Sequence, residues 1–319
     1  MSKKILVTGA AGFIGSHTVD ALLARGDSVI GIDNFNDYYD PMQKERNIAQ
    51  HAGNPFFKIN RVDICDQESV RRIVHEEKPD RIIHLAARAG VRSSVENPLL
   101  YQHVNVCGTT VLLEAAREFG VKKFVFASSS SVYGSNKKMP FSENDAVDHP
   151  ISPYAATKRA GELTCSTYHH LFGIDIACLR FFTVYGPRGR PDMAPYLFTK
   201  SIAEGKEFAV FGDGSARRDF TYIDDIVAGV IAASDKNRGY EIFNLGNSQM
   251  VEVNHLIRVI EQNLTKRANV SYANPTPGDV PVTCADISKA RRILGYDPQT
   301  SIEEGMRRFV AWYNEQKQK

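Results

Sequence analysis

The first 180 residues alternate short apolar runs with stretches of helical spacing. The runs K-I-L-V-T at 4–8, S-V-I-G-I-D at 28–33, R-I-I-H-L at 81–85 and K-F-V-F-A-S at 123–128 predict strands, as do 56–60 and 175–180. Helical spacing predicts helices over 13–25, 67–76, 95–119 and 153–172. Strands rich in β-branched residues and separated by helices predict an α/β architecture, a parallel sheet covered on both faces. Beyond residue 180 the texture changes. Proline and glycine become dense at Pro187, Gly189, Pro191 and Pro195, and proline again at Pro275, Pro277 and Pro281. A boundary near 180 is expected, with 181–319 forming a smaller mixed α/β lobe. The lobe is expected to interleave with the first part around 215–250, because F-N-L-G at 243–246 still reads as a core strand.

Composition narrows the class. Among 319 residues the net charge is +2, too small a field to attract nucleic acid or an anionic membrane, so any anionic ligand must be held by local arginines. The chain lacks a signal-type apolar segment near its start and any run of membrane-spanning length, so a cytoplasmic protein is expected. The five cysteines are dispersed without a C-x-x-C pair, which suits reduced thiols. The histidines form no metal-binding pattern, and no metal is expected.

The turn after the first strand is T-G-A-A-G-F-I-G. Gly9, Gly12 and Gly15 stand where a tight turn and a close backbone approach to a pyrophosphate require glycine, and the following helix offers unpaired N–H groups through Phe13, Ile14 and Gly15. The context predicts a Rossmann-type, doubly wound parallel sheet with a dinucleotide site. Asp33 closes the second strand, where a carboxylate accepts hydrogen bonds from the adenosine ribose. It would repel a 2′-phosphate, and the next residues, N-F-N-D at 34–37, supply no arginine, so NAD is favoured over NADP. Asp63 and Ile64 are candidates to frame the adenine, with a helix-capping role for Asp63 as the alternative.

Tyr154 and Lys158 stand four apart in S-P-Y-A-A-T-K and fall on one helical face. A free tyrosine titrates near 10, and a neighbouring ammonium favours the phenolate, which can then take a proton from a hydroxyl. Ser128 to Ser131 close the strand at 123–128, at the sheet edge where open α/β folds bind ligands.

T-G-A-A-G-F-I-G, D-N-F, D-I-x-D, H-L-A-A, S-S-S-x-V-Y-G, Y-x-x-x-K and R-x-F-x-V-Y-G-P together resemble the extended short-chain dehydrogenase/reductase family, over Lys4 to about Asp225. The resemblance implies Ser129, Tyr154 and Lys158 as the catalytic set, Lys158 also holding the nicotinamide ribose. It places the dinucleotide against Leu85, Ala86 and Ala87 as well as the glycine turn. N-F-N-D-Y-Y-D-P, L-A-A-R-A-G-V-R-S-S and F-F-T-V-Y-G-P-R-G-R-P-D-M-A resemble UDP-glucuronate 4-epimerases, although Arg88 replaces a more usual glutamine and Arg188 a more usual aromatic. Related dehydratases carry an acid pair at the positions of Ser130 and Ser131, and related decarboxylases a glutamate at that of Ser131. Serines there favour oxidation and re-reduction at C4.

The expected reaction is NAD-dependent epimerisation of UDP-glucuronate to UDP-galacturonate through a 4-keto sugar. That β-keto acid can lose carbon dioxide, so a cation must hold its carboxylate. By resemblance Arg190 is the clamp, with Thr183 nearby; a surface-loop arginine is the alternative. The resemblance gives Arg218 to the diphosphate and Asp279 to the uridine ribose, against a local Arg218–Asp219 ion pair and a simple P-G-D turn. Arg88 and Arg92 are candidates for the pyrophosphate or sugar, or caps of their loop. Rival activities are a 4-epimerase of a neutral UDP-hexose, a UDP-glucuronate decarboxylase and, outside enzymes, a dinucleotide-binding redox sensor. The resemblance also implies a homodimer through the helices predicted at 95–119 and 153–172.

Overall fold

The computed structural model describes residues 2–274 and 280–317. Six strands of the first half are β1 (Lys4–Thr8), β2 (Ser28–Asp33), β3 (Phe57–Arg61), β4 (Arg81–His84), β5 (Lys123–Ser129) and β6 (Asp175–Phe181). With the strand Tyr240–Leu245 they make one seven-stranded parallel sheet, ordered Tyr240–Leu245, β6, β5, β4, β1, β2, β3. The fold is the Rossmann-type doubly wound sheet that the sequence pattern predicts; β1 to β6 begin and end within one residue of expectation, and the seventh strand starts three residues earlier than F-N-L-G suggested.

Both faces of the sheet are covered, which explains the unbroken apolar runs. Side chains alternate across a strand. Ile5 and Val7 enter one core cluster, with Val125, Leu179 and Phe243. Leu6 between them enters the other, with Ile82, Phe126 and Ile176. Helices α1 (Phe13–Ala24) and Ile223–Lys236 cover the first face; α3 (Gln67–Glu77), α6 (Gly108–Glu118) and α7 (Pro153–Phe172) cover the second.

In the first 180 residues two features depart from the predicted elements. The segment 34–48 carries an unpredicted helix, α2 (Pro41–Ile48), capped by Asp40, whose Oδ1 accepts Met42 N–H at 2.9 Å. The single helix expected over 95–119 is broken into α4 (Val91–Glu96), α5 (Pro98–Tyr101), a π-helical turn Gln102–Cys107 and α6. Pro98 interrupts the ladder. In the π turn Asn105 points inward, accepting Arg88 N–H at 2.8 Å and donating to Arg88 O at 2.9 Å and Thr157 Oγ1 at 3.0 Å. A wide turn beside a binding cleft is a recurrent use of this geometry.

Beyond β6 the smaller elements are paired locally. Thr183–Tyr185 runs beside Phe220–Tyr222, Arg217–Arg218 beside Val251–Glu252, and Glu207–Phe211 beside Asn269–Ala273. No helix among the described residues is long and apolar enough to cross a membrane.

Candidate active site

All strand ends of a parallel sheet lie on one edge, and the cleft opens there. Its floor is the glycine turn. Gly9 has φ +68°, and a Cβ built on it would lie 2.9 Å from Ala86 N. A Cβ on Gly15 would lie 1.9 Å from Gly9 O. These contacts bring α1 against the turn, and Gly12 caps the helix without a side chain, leaving its first N–H groups toward the cleft, which Phe13 and Ile14 also line. The cradle therefore fits a pyrophosphate.

The other expected cofactor contacts line the same cleft. Asp33 is buried, its Oδ2 accepting Ala11 N–H at 3.1 Å and its Oδ1 accepting Phe35 N–H at 2.9 Å. Burial pushes its carboxyl above the usual range, against the opposing pull of Lys44 and the backbone N–H groups. Asn34 Nδ2 donates to Asp63 Oδ2 at 2.7 Å, which ties the end of β2 to the turn carrying Asp63 and Ile64. Leu85, Ala86 and Ala87 follow β4, where Ala86 N–H donates to Thr8 Oγ1 at 3.2 Å.

Sequence reasoning missed Lys44. Its side chain is buried in α2, lines the cleft and donates to Asn36 O at 2.9 Å. The D-P step at Asp40-Pro41 was the available signal, since aspartate as N-cap and proline at the first position mark a helix start.

Tyr154, Lys158 and Ser129 meet at the centre of the cleft. Ser152 caps α7 by accepting Ala155 N–H at 3.1 Å, with Pro153 in the first turn, so the helix begins immediately before Tyr154. Gly161 permits α7 to press on β5, for a Cβ there would lie 2.3 Å from Phe126 Cζ. Lys158 is buried and donates to Ala127 O at 2.7 Å; its Nζ lies 5.9 Å from the centre of the Tyr154 ring. Burial lowers this lysine to about 7. Burial raises the Tyr154 phenol, opposed by a hydrogen bond with Ser129 and by the charge of Arg190.

The run of serines sorts itself by strand alternation. Ser128 Oγ points into the body and donates to Glu162 Oε1 at 2.6 Å, while Ser129 faces Tyr154 and accepts Ser131 N–H at 3.1 Å. Ser130 and Ser131 line the cleft on a short 3-10 turn.

Arg88, Thr183 and Arg190 reach the cleft as well. Arg92 and Arg218 are not among the residues that line it. Arg92 lies over the Phe211 ring at 4.4 Å, and Arg218 Nη1 donates to the carbonyls of Arg217 and Pro281 at 3.1 and 3.0 Å. The neighbouring Asp219 carboxylate accepts backbone N–H groups of Asn247, Ser248 and Ala285. Asp279 lies outside the described residues. His84 is caught between Thr8 Oγ1 and Thr109 Oγ1, at 2.7 and 3.0 Å, and burial lowers it to about 3. No cluster of metal-ligating side chains occurs among the described residues.

A family model described as GDP-mannose 4,6 dehydratase matches residues 6–309. The chain belongs to this family. Within the GDP-mannose 4,6 dehydratase family its relatives include a UDP-glucuronate 4-epimerase of Thermodesulfobacterium geofontis, 49% identical over 97% of this chain and 96% of the relative. UDP-glucuronate 4-epimerase 4 of Arabidopsis thaliana is 48% identical over 97% of this chain and 75% of its own length. Among solved structures, the UDP-glucuronic acid 4-epimerase of Bacillus cereus, in complex with UDP-glucuronic acid and NAD, superposes with a TM-score of 0.93 at 39% identity, covering 98% of this chain and 99% of that one. The UDP-glucose 4-epimerase of Thermotoga maritima with UDP-glucose gives 0.91 at 35% identity, covering 98% and 99%.

Proposed function

We propose that this protein interconverts UDP-glucuronate and UDP-galacturonate by epimerisation at C4, with NAD as a retained cofactor. The observation that carries the reading is the convergence in one cleft of a dinucleotide cradle, the Ser129–Tyr154–Lys158 group and the Arg190 guanidinium. The relatives named UDP-glucuronate 4-epimerase support it.

The cradle at Gly9 to Gly15, Asp33, Asn34, Asp63, Ile64, Leu85, Ala86 and Ala87 would hold the dinucleotide, with Tyr154 and Lys158 at its reactive end. When bound, NAD supplies the acceptor and donor of hydride for C4. Tyr154 takes the O4 proton and returns it after the sugar has turned over. Ser129 relays a hydrogen bond between the phenol and the sugar oxygen. Lys158 in its protonated form favours the ionised phenol, and the Arg190 charge and the Ser129 hydrogen bond act in the same direction. Ser130 and Ser131 carry no acid that could move a proton at C5 or C6, which separates this site from dehydration. Thr183 and Arg190 hold the sugar carboxylate, an arginine being suited to that task. Arg88, which lines the cleft, is assigned to the sugar or the diphosphate, while Arg92, Arg218 and Asp279 carry their UDP assignments from the sequence alone.

The division of labour follows the chain: residues 1–180 bind the cofactor and 181–319 the sugar nucleotide, with the strand Tyr240–Leu245 returning to the first sheet. A homodimer through the helical segments 95–119 and 153–172 is part of the proposal. Leu99, Leu163 and Leu171 are 82%, 53% and 61% exposed there, an apolar surface suited to a second copy. The free thiols favour a reducing compartment, the cytoplasm.

The test is incubation of the purified protein with UDP-glucuronate, without added NAD, and resolution of products by proton NMR. UDP-galacturonate is expected. A UDP-pentose would make the enzyme a decarboxylase. Turnover of a neutral UDP-hexose alone would make it a hexose epimerase.

A further inference from the structure

Arg190 is engaged by side chains of its own chain. Its Nε donates to Asp192 Oδ1 at 3.0 Å and its Nη2 to Asp192 Oδ2 at 2.5 Å, so the aspartate takes one whole edge of the guanidinium fork. Nη2 also donates to Tyr38 Oη at 3.3 Å, and Tyr38 Oη lies 3.4 Å from Asp192 Oδ2. Tyr38 stands over Gly90, where a Cβ would come within 2.6 Å of its hydroxyl. Three contacts therefore fix the plane of one side chain, and Nη1 is the nitrogen for which no partner occurs among the described residues. The Arg190 side chain is 19% exposed, while that of Asp192 is 47% exposed. The cation sits inside and the acid sits toward the rim.

We propose that Asp192 is a positioning residue: by occupying the Nε–Nη2 edge of Arg190 it restricts the substrate carboxylate to a contact through Nη1, and so fixes the rotation of that carboxylate about its bond to C5. Tyr38 is the second support. The inference rests on the epimerase reading above. A fork with both edges free would grip a carboxylate more tightly and in more than one way. A fork pinned along one edge gives up part of that attraction and gains a single geometry.

The geometry matters because of the side reaction of the 4-keto acid. There the C5–carboxyl bond breaks, its electron pair passes into the C4 ketone as an enolate, and carbon dioxide leaves. C5 then takes a proton from solvent, and the hydride removed in the first step returns to C4, giving a UDP-pentose. The step is fast only when the breaking bond lines up with the carbonyl π system. Holding the carboxylate in one rotation keeps it out of that alignment.

The test compares wild type with Asp192→Ala, Asp192→Asn and Tyr38→Phe, measuring KM, kcat and the ratio of UDP-pentose to UDP-galacturonate by NMR, with thermal melting as a control for folding. Asp192→Ala is expected to raise the pentose fraction at least fivefold while KM for UDP-glucuronate stays level or falls. Asp192→Asn keeps the size and loses the charge, so it should lie between; it also serves if the alanine variant fails to fold. Tyr38→Phe should move the ratio the same way by a smaller factor. An unchanged product ratio in folded Asp192 variants overturns the inference and leaves the epimerase reading intact, as does a higher KM with that ratio unchanged. Wild type that makes no UDP-galacturonate sinks both.

Discussion

Glu162 lies one helical turn beyond Lys158, and its carboxylate accepts the 2.6 Å hydrogen bond from Ser128 while pairing with Arg180 at 2.9 and 3.0 Å. Both partners of the ion pair are essentially inaccessible, at 0% and 1% side-chain exposure. The pair fastens α7 to β5 and β6 directly behind Ser129. Breaking one side of a buried pair strands the other charge, at a cost of roughly 3–5 kcal/mol. Glu162→Gln should therefore lower the stability read by urea unfolding by that order. A loss below about 1 kcal/mol would show that Arg180 finds another partner.

Tyr154→Phe keeps the ring and removes the proton carrier. Turnover should fall by roughly 10²–10⁴-fold, the usual share of a positioned acid–base group. Co-purified NAD, measured by absorbance after denaturation, should be unchanged. Activity within tenfold of wild type would assign the proton transfer elsewhere.

Lys158 illustrates a conflict between function and stability. Burial lowers it from 10.5 to about 7, so between these values the unfolded chain holds a proton that the folded chain has released. Stability of the cofactor-free protein therefore rises with pH across that window, and the penalty is largest below pH 7. Lys158→Met should raise the melting temperature at pH 6, show a smaller gain at pH 9, and abolish turnover. A gain of equal size at both pH values would locate the effect in packing rather than charge.

Gly15→Ala places a methyl group 1.9 Å from Gly9 O, a contact that backbone must move to relieve. Overpacking of this kind costs about 1–3 kcal/mol. It would also reshape the cradle, so the variant should purify largely free of NAD. Retention of stoichiometric NAD would argue that the turn tolerates the shift.

The exposed leucines give the oligomer a direct check. Leu99→Glu combined with Leu163→Glu should convert a dimer to a monomer in light scattering, leaving the melting temperature within a few degrees. A wild type that is already monomeric would remove the dimer from the proposal.

Legibility in the sequence followed burial. Strands covered on both faces must be apolar throughout, so Lys4–Thr8 and Ser28–Asp33 were visible to the residue. Helix α7 was visible because S-P opens it and Gly173 closes it. Helix α2 was not, because of its four buried positions only Ile48 is apolar: Gln43 and Asn47 bond to loops distant in sequence and Lys44 to the loop just before the helix. The π turn was hidden for the same reason, since Asn105 turns inward to meet Arg88 and Thr157. Which serine faces the cleft depends on the phase of β5, and Ser128 was settled only by its contact with Glu162. Arg190 could be singled out from its motif, but the pairing with Asp192 and Tyr38 needed the loop's shape.

Helix α2 also joins the two halves of the cleft. Asn47 Nδ2 donates to Ala11 O at 2.9 Å beside the glycine turn, and Gln43 Nε2 donates to Arg188 O at 3.2 Å and Gly189 O at 3.3 Å beside Arg190. These links are amide to carbonyl and carry no net charge. They neither titrate nor weaken by ionic screening, unlike the surface ion pairs around them. This part of the seam between the nucleotide side and the sugar side is thereby indifferent to acid, alkali and brine, whereas the Arg188–Asp20 ion pair that crosses the same seam is not, so the α2 amides are the links that should keep the two sides in register when salt is raised.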